Sequence, residues 1–398
     1  MSSVRTGKSA KKPILAIVVI AALASLVVPY RIISTRIQQM AAESAGTADP
    51  QQPLSPEWKQ TIGELKEFVE TARGLKFKHE VPVVVESAGA FRERLAAEAE
   101  EYGMPESADS YIALKALHLV DGDNRMDALE DPLQDGGTLG YYDAYSKRLV
   151  VQGDEPSPFV RQILVHELTH ALQDQHFNLN RELNDFDETY LAFESLVEGD
   201  ATRVENLYLE SLSPEERQMA IQEQDIDMSG FGDQAPSRSL ETLSMLSSFP
   251  YEVGEQFVLE ILAEGGQERL DQAFVSPPTT SEQILHPERF LNLQKPVSVE
   301  PPDADRDPDE EGVFGERGLL TLLLRDLPED QAWEAADGWA GDYFVAWRKS
   351  GLNCIRLSLV TDSRTDRQEL EAALRAWAAG KRLVSIHSGR TIQLRSCA

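Results

Sequence analysis

Positive charge is scarce in this chain of 398 residues: 38 Lys and Arg stand against 67 Asp and Glu, for a formal net charge of -29. Nucleic-acid phosphates are gripped by clustered Lys and Arg, so this balance argues against nucleic acid as a partner. Cysteine is scarcer still, with only Cys354 and Cys397, both near the C-terminus. There is no internal repeat and no nucleotide-binding glycine loop. The acidic run DGDNRMD at 121–127 lacks the glycine that an EF-hand needs at its sixth position, where Met126 sits, so it reads as a solvated loop.

Hydrophobic residues make up 41% of the sequence, enough for a sizeable core, and the length suits roughly two globular units. Residues 13–30 (PILAIVVIAALASLVVPY) carry no charge and follow Arg5, Lys8, Lys11 and Lys12. This is about the shortest apolar run that spans a bilayer, and the basic flank marks residues 1–12 as the cytoplasmic side. A cleaved signal peptide with Ala22-Leu23-Ala24 as its A-x-A site is the alternative; either way the remaining chain is expected outside the cytoplasm. In such a compartment an even cysteine pair suggests one disulfide, against the alternative of two separate buried thiols.

Residues 31–56, rich in Gln, Ala, Ser and Pro, read as a flexible tether. Helical spacing follows over Trp58–Arg73, then a buried strand at Val81–Val85 and a helix through Phe91 and Leu95. Residues 139–151 (LGYYDAYSKRLVV) read as a hairpin. Ser157 and Pro158 make a helix start, N-cap followed by proline at the first helical position. A second helix is expected over Glu188–Leu212, and helices broken at Gly265-Gly266 over 251–274. The proline-rich acidic stretch 299–312 is the expected linker between a catalytic domain at 57–298 and a C-terminal α+β module at 313–398. In that module a helix is expected near Leu319–Leu324, a strand at Ile355–Val360, a helix at Asp366–Ala379 and a closing hairpin around Gly389.

The chemistry concentrates in His166-Glu167-Leu168-Thr169-His170. On a helix, residues four apart project about 40° from one another, so both imidazoles can meet one zinc ion. Glu167 lies on the adjacent face, within reach of a catalytic water but not of the metal. A catalytic zinc site takes three protein ligands, so one is still to be found. His176 stands six residues after His170, where a metzincin places its third histidine, but Gln173 replaces the glycine that such a turn needs. On a continuing helix His176 points about 120° away from His170. Glu198 and, one turn before it, Glu194 are the other candidates.

Leu196-Val197-Glu198-Gly199-Asp200-Ala201, followed by Glu205, resembles the E-G-x-A-x-x-x-E glutamate helix of the aminopeptidase branch of the gluzincins. That resemblance implies Glu198 as the third ligand; a thermolysin-like alignment would take Glu194 instead. The chain lacks the G-x-M-E-N segment with which those aminopeptidases grip a free amino terminus. More broadly, RGLKF at 73–77, GYYD at 140–143, HELTHALQDQHF at 166–177, LVEGDA at 196–201 and SEQILHP at 281–287 resemble an uncharacterised bacterial family of gluzincin-type zinc metallopeptidases. The resemblance implies an α+β, zincin-like fold and a zinc-dependent peptidase acting on a peptide or protein substrate. In that reading Glu167 takes a proton from water and delivers it to the leaving amine. Two side chains are candidates to steady the oxyanion. Tyr251 is similar to the tyrosine of the aminopeptidase branch, and His286 to the auxiliary histidine of thermolysin-like enzymes. His286 also follows capping boxes at Thr279–Glu282 and Thr280–Gln283, which is reason enough for a helix there. The hairpin before the active-site helix would supply an edge strand for the extended substrate.

Overall fold

A computed structural model describes residues 54–102, 111–120, 139–181, 188–228 and 238–398. The expected membrane segment at 13–30, most of the tether and the acidic loop at 121–127 lie outside these residues. Among the described residues no helix is long and apolar enough to cross a membrane.

The fold is mixed α+β, with many helices and two small sheets. Helix α1 (Pro56–Arg73) begins at Ser55, whose side chain accepts the Trp58 amide, and ends at Gly74, which takes the left-handed conformation at φ 65°. Strand β1 (Val83–Glu86) and helix α2 (Ala88–Tyr102) follow, then the short helix α3 (Ile112–Ala116). The expected hairpin is β2 (Gly140–Asp143) with β3 (Arg148–Gln152). Together they make a three-stranded sheet in the order β1-β3-β2, with β1 parallel and β2 antiparallel to β3. Helix α4 (Pro158–Phe177) packs on this sheet, capped by Ser157 at its start and by Asn178 at φ 55° at its end. Nearly every side chain from Phe159 to Asp174 is buried, as expected of a helix enclosed on all sides.

Helix α5 (Glu188–Ser211) lies against α4 on one side and α7 (Arg238–Val275) on the other, with α6 (Pro214–Met228) beyond α4. Two helices are joined in α7 at Gly265-Gly266, where the backbone leaves the helical range. Gly199 and Gly254 let α5 and α7 meet backbone to backbone. A Cβ added at Gly199 would sit 2.1 Å from the Gly254 carbonyl carbon, and one at Gly254 would sit 2.2 Å from the Ser195 oxygen. Neither neighbour is a side chain that can swing aside. Gly199→Ala is therefore expected to destabilise the fold by roughly 3 kcal/mol or more, read as a lowered urea midpoint. A midpoint within experimental scatter of the parent would contradict this close crossing.

Short helices α8 (Ser281–Leu285) and α9 (Pro287–Leu291) lead to the C-terminal layer. Thr280 caps α8 by accepting the Gln283 amide. The layer holds β4 (Glu310–Gly312), α10 (Gly315–Leu324), α11 (Glu329–Ala336), β5 (Trp339–Lys349), β6 (Leu352–Thr361), α12 (Arg364–Ala378), β7 (Ser385–Ser388) and β8 (Ile392–Cys397). Its antiparallel sheet runs β4-β5-β6-β8-β7. A disulfide joins Cys354 to Cys397, directly opposite each other on β6 and β8. The neighbouring pair, Asn353 and Ala398, exchanges both backbone hydrogen bonds, which leaves the cysteines at the site where strands approach most closely.

Two features of this layer were not expected. Residues 112–119, which sequence reading assigns to the catalytic segment, pack into the C-terminal core with Leu319, Trp339, Leu357 and Trp377. The Glu310 carboxylate accepts the Ile112 and Ala113 amides, and the Ser396 hydroxyl donates to the Ala116 carbonyl. Residues 299–312 do not hang free as a linker either. Asp305 pairs with Lys349, Arg356 and Arg395 on the sheet, and residues 310–312 form its edge strand.

Candidate metal centre

One turn of α4 and one turn of α5 face each other across the buried centre of the molecule. His166 and His170, four apart on α4, present their Nε2 atoms to the same Glu198 oxygen, at 3.1 and 3.3 Å. The two rings meet edge to face at 4.7 Å between centroids. The three ligand atoms lie within 4.8 Å of one another, close enough to share one metal ion.

The imidazoles are also held from behind. His166 Nδ1 lies 2.8 Å from Glu205 Oε2, and the other Glu205 oxygen accepts from Gln162 Nε2 at 2.6 Å. His170 Nδ1 lies 3.0 Å from Gln173 Oε1. Since an amide oxygen only accepts, Nδ1 carries a proton, and Nε2 is the nitrogen that can be offered to a metal beside Glu198. Gln173 Nε2 in turn donates to the Val197 carbonyl and to Asp200 Oδ2. Asp200 is fully buried and is paired with Arg73 at 2.6 Å and Arg203 at 2.9 Å. Arg73 reaches on to Asp271 at 3.0 Å. A chain of buried polar contacts thus ties the His170 ring to α1 and α7.

Electrostatics suit a cation. Burial penalises a charged His166, yet its bonds to Glu198 and Glu205 outweigh burial and hold its pKa well above the ordinary value. His170 is raised as well, burial being overcome by Glu198. Glu198 is held far below the usual carboxylate range: burial would raise it, but His170 and His166 prevail. The group therefore favours positive charge at its centre. Two imidazole Nε2 atoms, each ring fixed at Nδ1 by an outer partner, and one carboxylate oxygen are a donor set that fits a divalent metal ion.

Glu167 lies beside this group without joining it. Its Oε2 accepts the Tyr142 backbone amide at 2.7 Å. Burial raises its pKa, opposed by His170 and His166. Among the described residues strand β2 is a sheet edge, and the Gln152 amide donates to the Leu139 carbonyl. That bond turns Tyr141 towards β3 and leaves Gly140 and Tyr142 with their backbone groups facing outward. The Tyr142 hydroxyl donates to Asp174 at 2.7 Å, so this side chain braces the hairpin against α4.

The remaining candidates separate cleanly. Tyr251 is buried, with its ring stacked near His166 at 6.2 Å between centroids. His176 is turned away, its Nε2 donating to the Lys76 carbonyl at 2.8 Å. Glu194 is not among the convergent ligand atoms; burial, then the charge of Glu198, pushes its carboxyl up to about 8. His286 does not join the group: its Nε2 lies 2.9 Å from Glu316 and 3.3 Å from Asp337, in a second cluster.

In the sequence Gln173 reads only as the residue in place of a metzincin glycine. Its role was within reach, because three residues after His170 a helical side chain falls beside the ring. Gln173→Leu removes the acceptor for His170 and one of the donors to Asp200, which keeps Arg73 and Arg203. It is expected to weaken metal binding, measured with added zinc, about 10–100-fold by competition with a chromogenic chelator. Unchanged affinity in a folded variant would rule out this bond as the ring's anchor.

No protein-family model, curated protein or solved structure matches this chain.

Proposed function

We propose that the chain is a zinc-dependent peptidase, a gluzincin-like endopeptidase with a zincin-like arrangement of active-site helix α4 and glutamate helix α5. The observation that carries this reading is the convergence of His166, His170 and Glu198 with Glu167 pinned beside them by a strand amide. Zinc would be held by His166 Nε2, His170 Nε2 and Glu198. When bound, zinc supplies Lewis acidity that brings the pKa of water towards neutrality.

The chain's own groups do the rest. Glu167 Oε2 is occupied by the Tyr142 amide, which leaves Oε1 to accept a proton from the attacking water. Burial raises this carboxyl from its usual range and makes it a stronger base. The proton then passes from Glu167 to the leaving amine nitrogen. An extended substrate lies along Gly140 and the Tyr142 carbonyl on the outward side of β2, the Tyr142 amide being held by Glu167, and main-chain pairing there positions its scissile bond. Tyr251 donates to the oxyanion that develops as the carbonyl carbon becomes tetrahedral. His286 is not used, because Glu316 and Asp337 hold its Nε2. Residues 13–30 anchor the chain in the membrane and keep the site outside the cytoplasm.

The full-length chain loaded with zinc is expected to cleave an unfolded protein such as casein. Chelation should abolish cleavage and zinc should restore it. A zinc-loaded chain that cleaves neither casein nor a peptide library would instead mark a metal-bearing binding protein.

A further inference from the structure

A second cluster of ligating side chains lies apart from the His166–His170–Glu198 group, where the α8–α9 segment meets the C-terminal layer. His286 ends α8, Glu316 stands in the first turn of α10, and Asp337 follows α11. One ligand atom from each lies within 4.8 Å of the others. His286 Nε2 is 2.9 Å from Glu316 Oε1 and 3.3 Å from Asp337 Oδ1. Glu282 and Asp362 border the same place.

The cluster is short of positive charge. Arg289 lies within 4.0 Å of all four carboxylates: 2.6 Å from Glu282, 2.9 Å from Asp337, 3.8 Å from Glu316 and 3.9 Å from Asp362. Even with His286 protonated, two cations face four potential anions. Glu316 shows the shortfall most clearly. Its side chain is 0% exposed, yet Oε2 has no hydrogen-bond partner and only Arg289 at 3.8 Å for a cation. A buried carboxylate oxygen left in this state costs free energy that a ligand would recover. Asp337 is 58% exposed and gives an ion a way in from solvent.

We propose that His286, Glu316 and Asp337 form a second divalent-metal site that clamps the C-terminal layer to the α8–α9 segment. One imidazole with two carboxylates selects a first-row transition ion such as zinc or manganese over calcium or magnesium, which favour all-oxygen cages. The ion would be held by neutral His286 Nε2, the Glu316 carboxylate and the Asp337 carboxylate, with water completing its coordination. Its ligands lie up to 51 residues apart (Asp337 minus His286), so the site exists only in the folded chain. Binding must then stabilise the fold by mass action.

The test uses the full-length chain carrying His166→Ala and His170→Ala, which removes the first site. This parent is expected to retain about one equivalent of zinc or manganese after gel filtration, and its Tm should rise on adding either ion. Adding His286→Ala should abolish both effects. Asp337→Asn alters an exposed side chain that a folded protein tolerates, and it should weaken binding by at least 10-fold. Calcium and magnesium should leave Tm unmoved. If the parent binds no transition ion and its Tm does not respond, the cluster is an ion-pair network only and the proposal fails. Binding that persists unchanged in both His286→Ala and Asp337→Asn would place the ion elsewhere and also overturn it.

Discussion

Glu198→Ala is expected to strip the α4–α5 site of zinc. Both imidazole Nε2 atoms point at the oxygen that this change removes, and no other carboxylate oxygen converges with them among the described residues. Two histidines on one helix, four residues apart, make only a bidentate grip, and the third ligand comes from a different helix. Its loss should weaken binding by more than the roughly 10–100-fold typical of an outer partner. The two rival carboxylate and imidazole positions provide the controls. Glu194→Ala should keep zinc, since its carboxyl is pushed up to about 8 and stands outside the convergent atoms. His176→Ala should also keep zinc, since its ring is bonded to the Lys76 carbonyl. Competition with a chromogenic chelator ranks the three. Loss confined to Glu194→Ala would transfer the ligand one turn along α5, and loss confined to His176→Ala would return a three-histidine site.

The same helices show what was legible beforehand. Helix α4 is readable because its start signal, Ser157-Pro158, and its His166–His170 spacing are local properties of one segment. The hairpin at 140–152, the interruption at Gly265-Gly266 and the Cys354–Cys397 bridge are local or pairwise in the same sense. The role of Gly199 is not. It stands next to Glu198 because α7 crosses there at backbone contact, and only the partner Gly254 reveals it.

Long-range partners account for the remaining differences. Residues 112–119 have ordinary helical spacing, and nothing in them announces a core some 200 residues further on; Glu310 and Ser396 make that assignment. The acidic 299–312 stretch has the composition of a free linker, but three basic side chains on the far sheet hold Asp305. Gln173 and Asp200 look like solvated helix residues until burial forces each to find a partner. For His286, the place downstream of the glutamate helix suits an auxiliary histidine, and the turn before Pro287 brings it to Glu316 and Asp337. Charge and hydrogen-bond satisfaction, more than periodicity, decide where such groups end.

Glu167 is the proposed proton carrier beside a metal held by its neighbours, and replacing Glu167 by Gln isolates that role. Glutamine preserves the shape and still offers an oxygen to the Tyr142 amide, so the β2–α4 contact survives. It cannot accept a proton from water. The decisive measurement is casein cleavage by Glu167→Gln set beside its zinc content in the same preparation. The predicted result is zinc bound as in the parent, with kcat/KM lowered by roughly 10²–10⁴-fold. Near-parental cleavage by a zinc-loaded Glu167→Gln chain would contradict the mechanism.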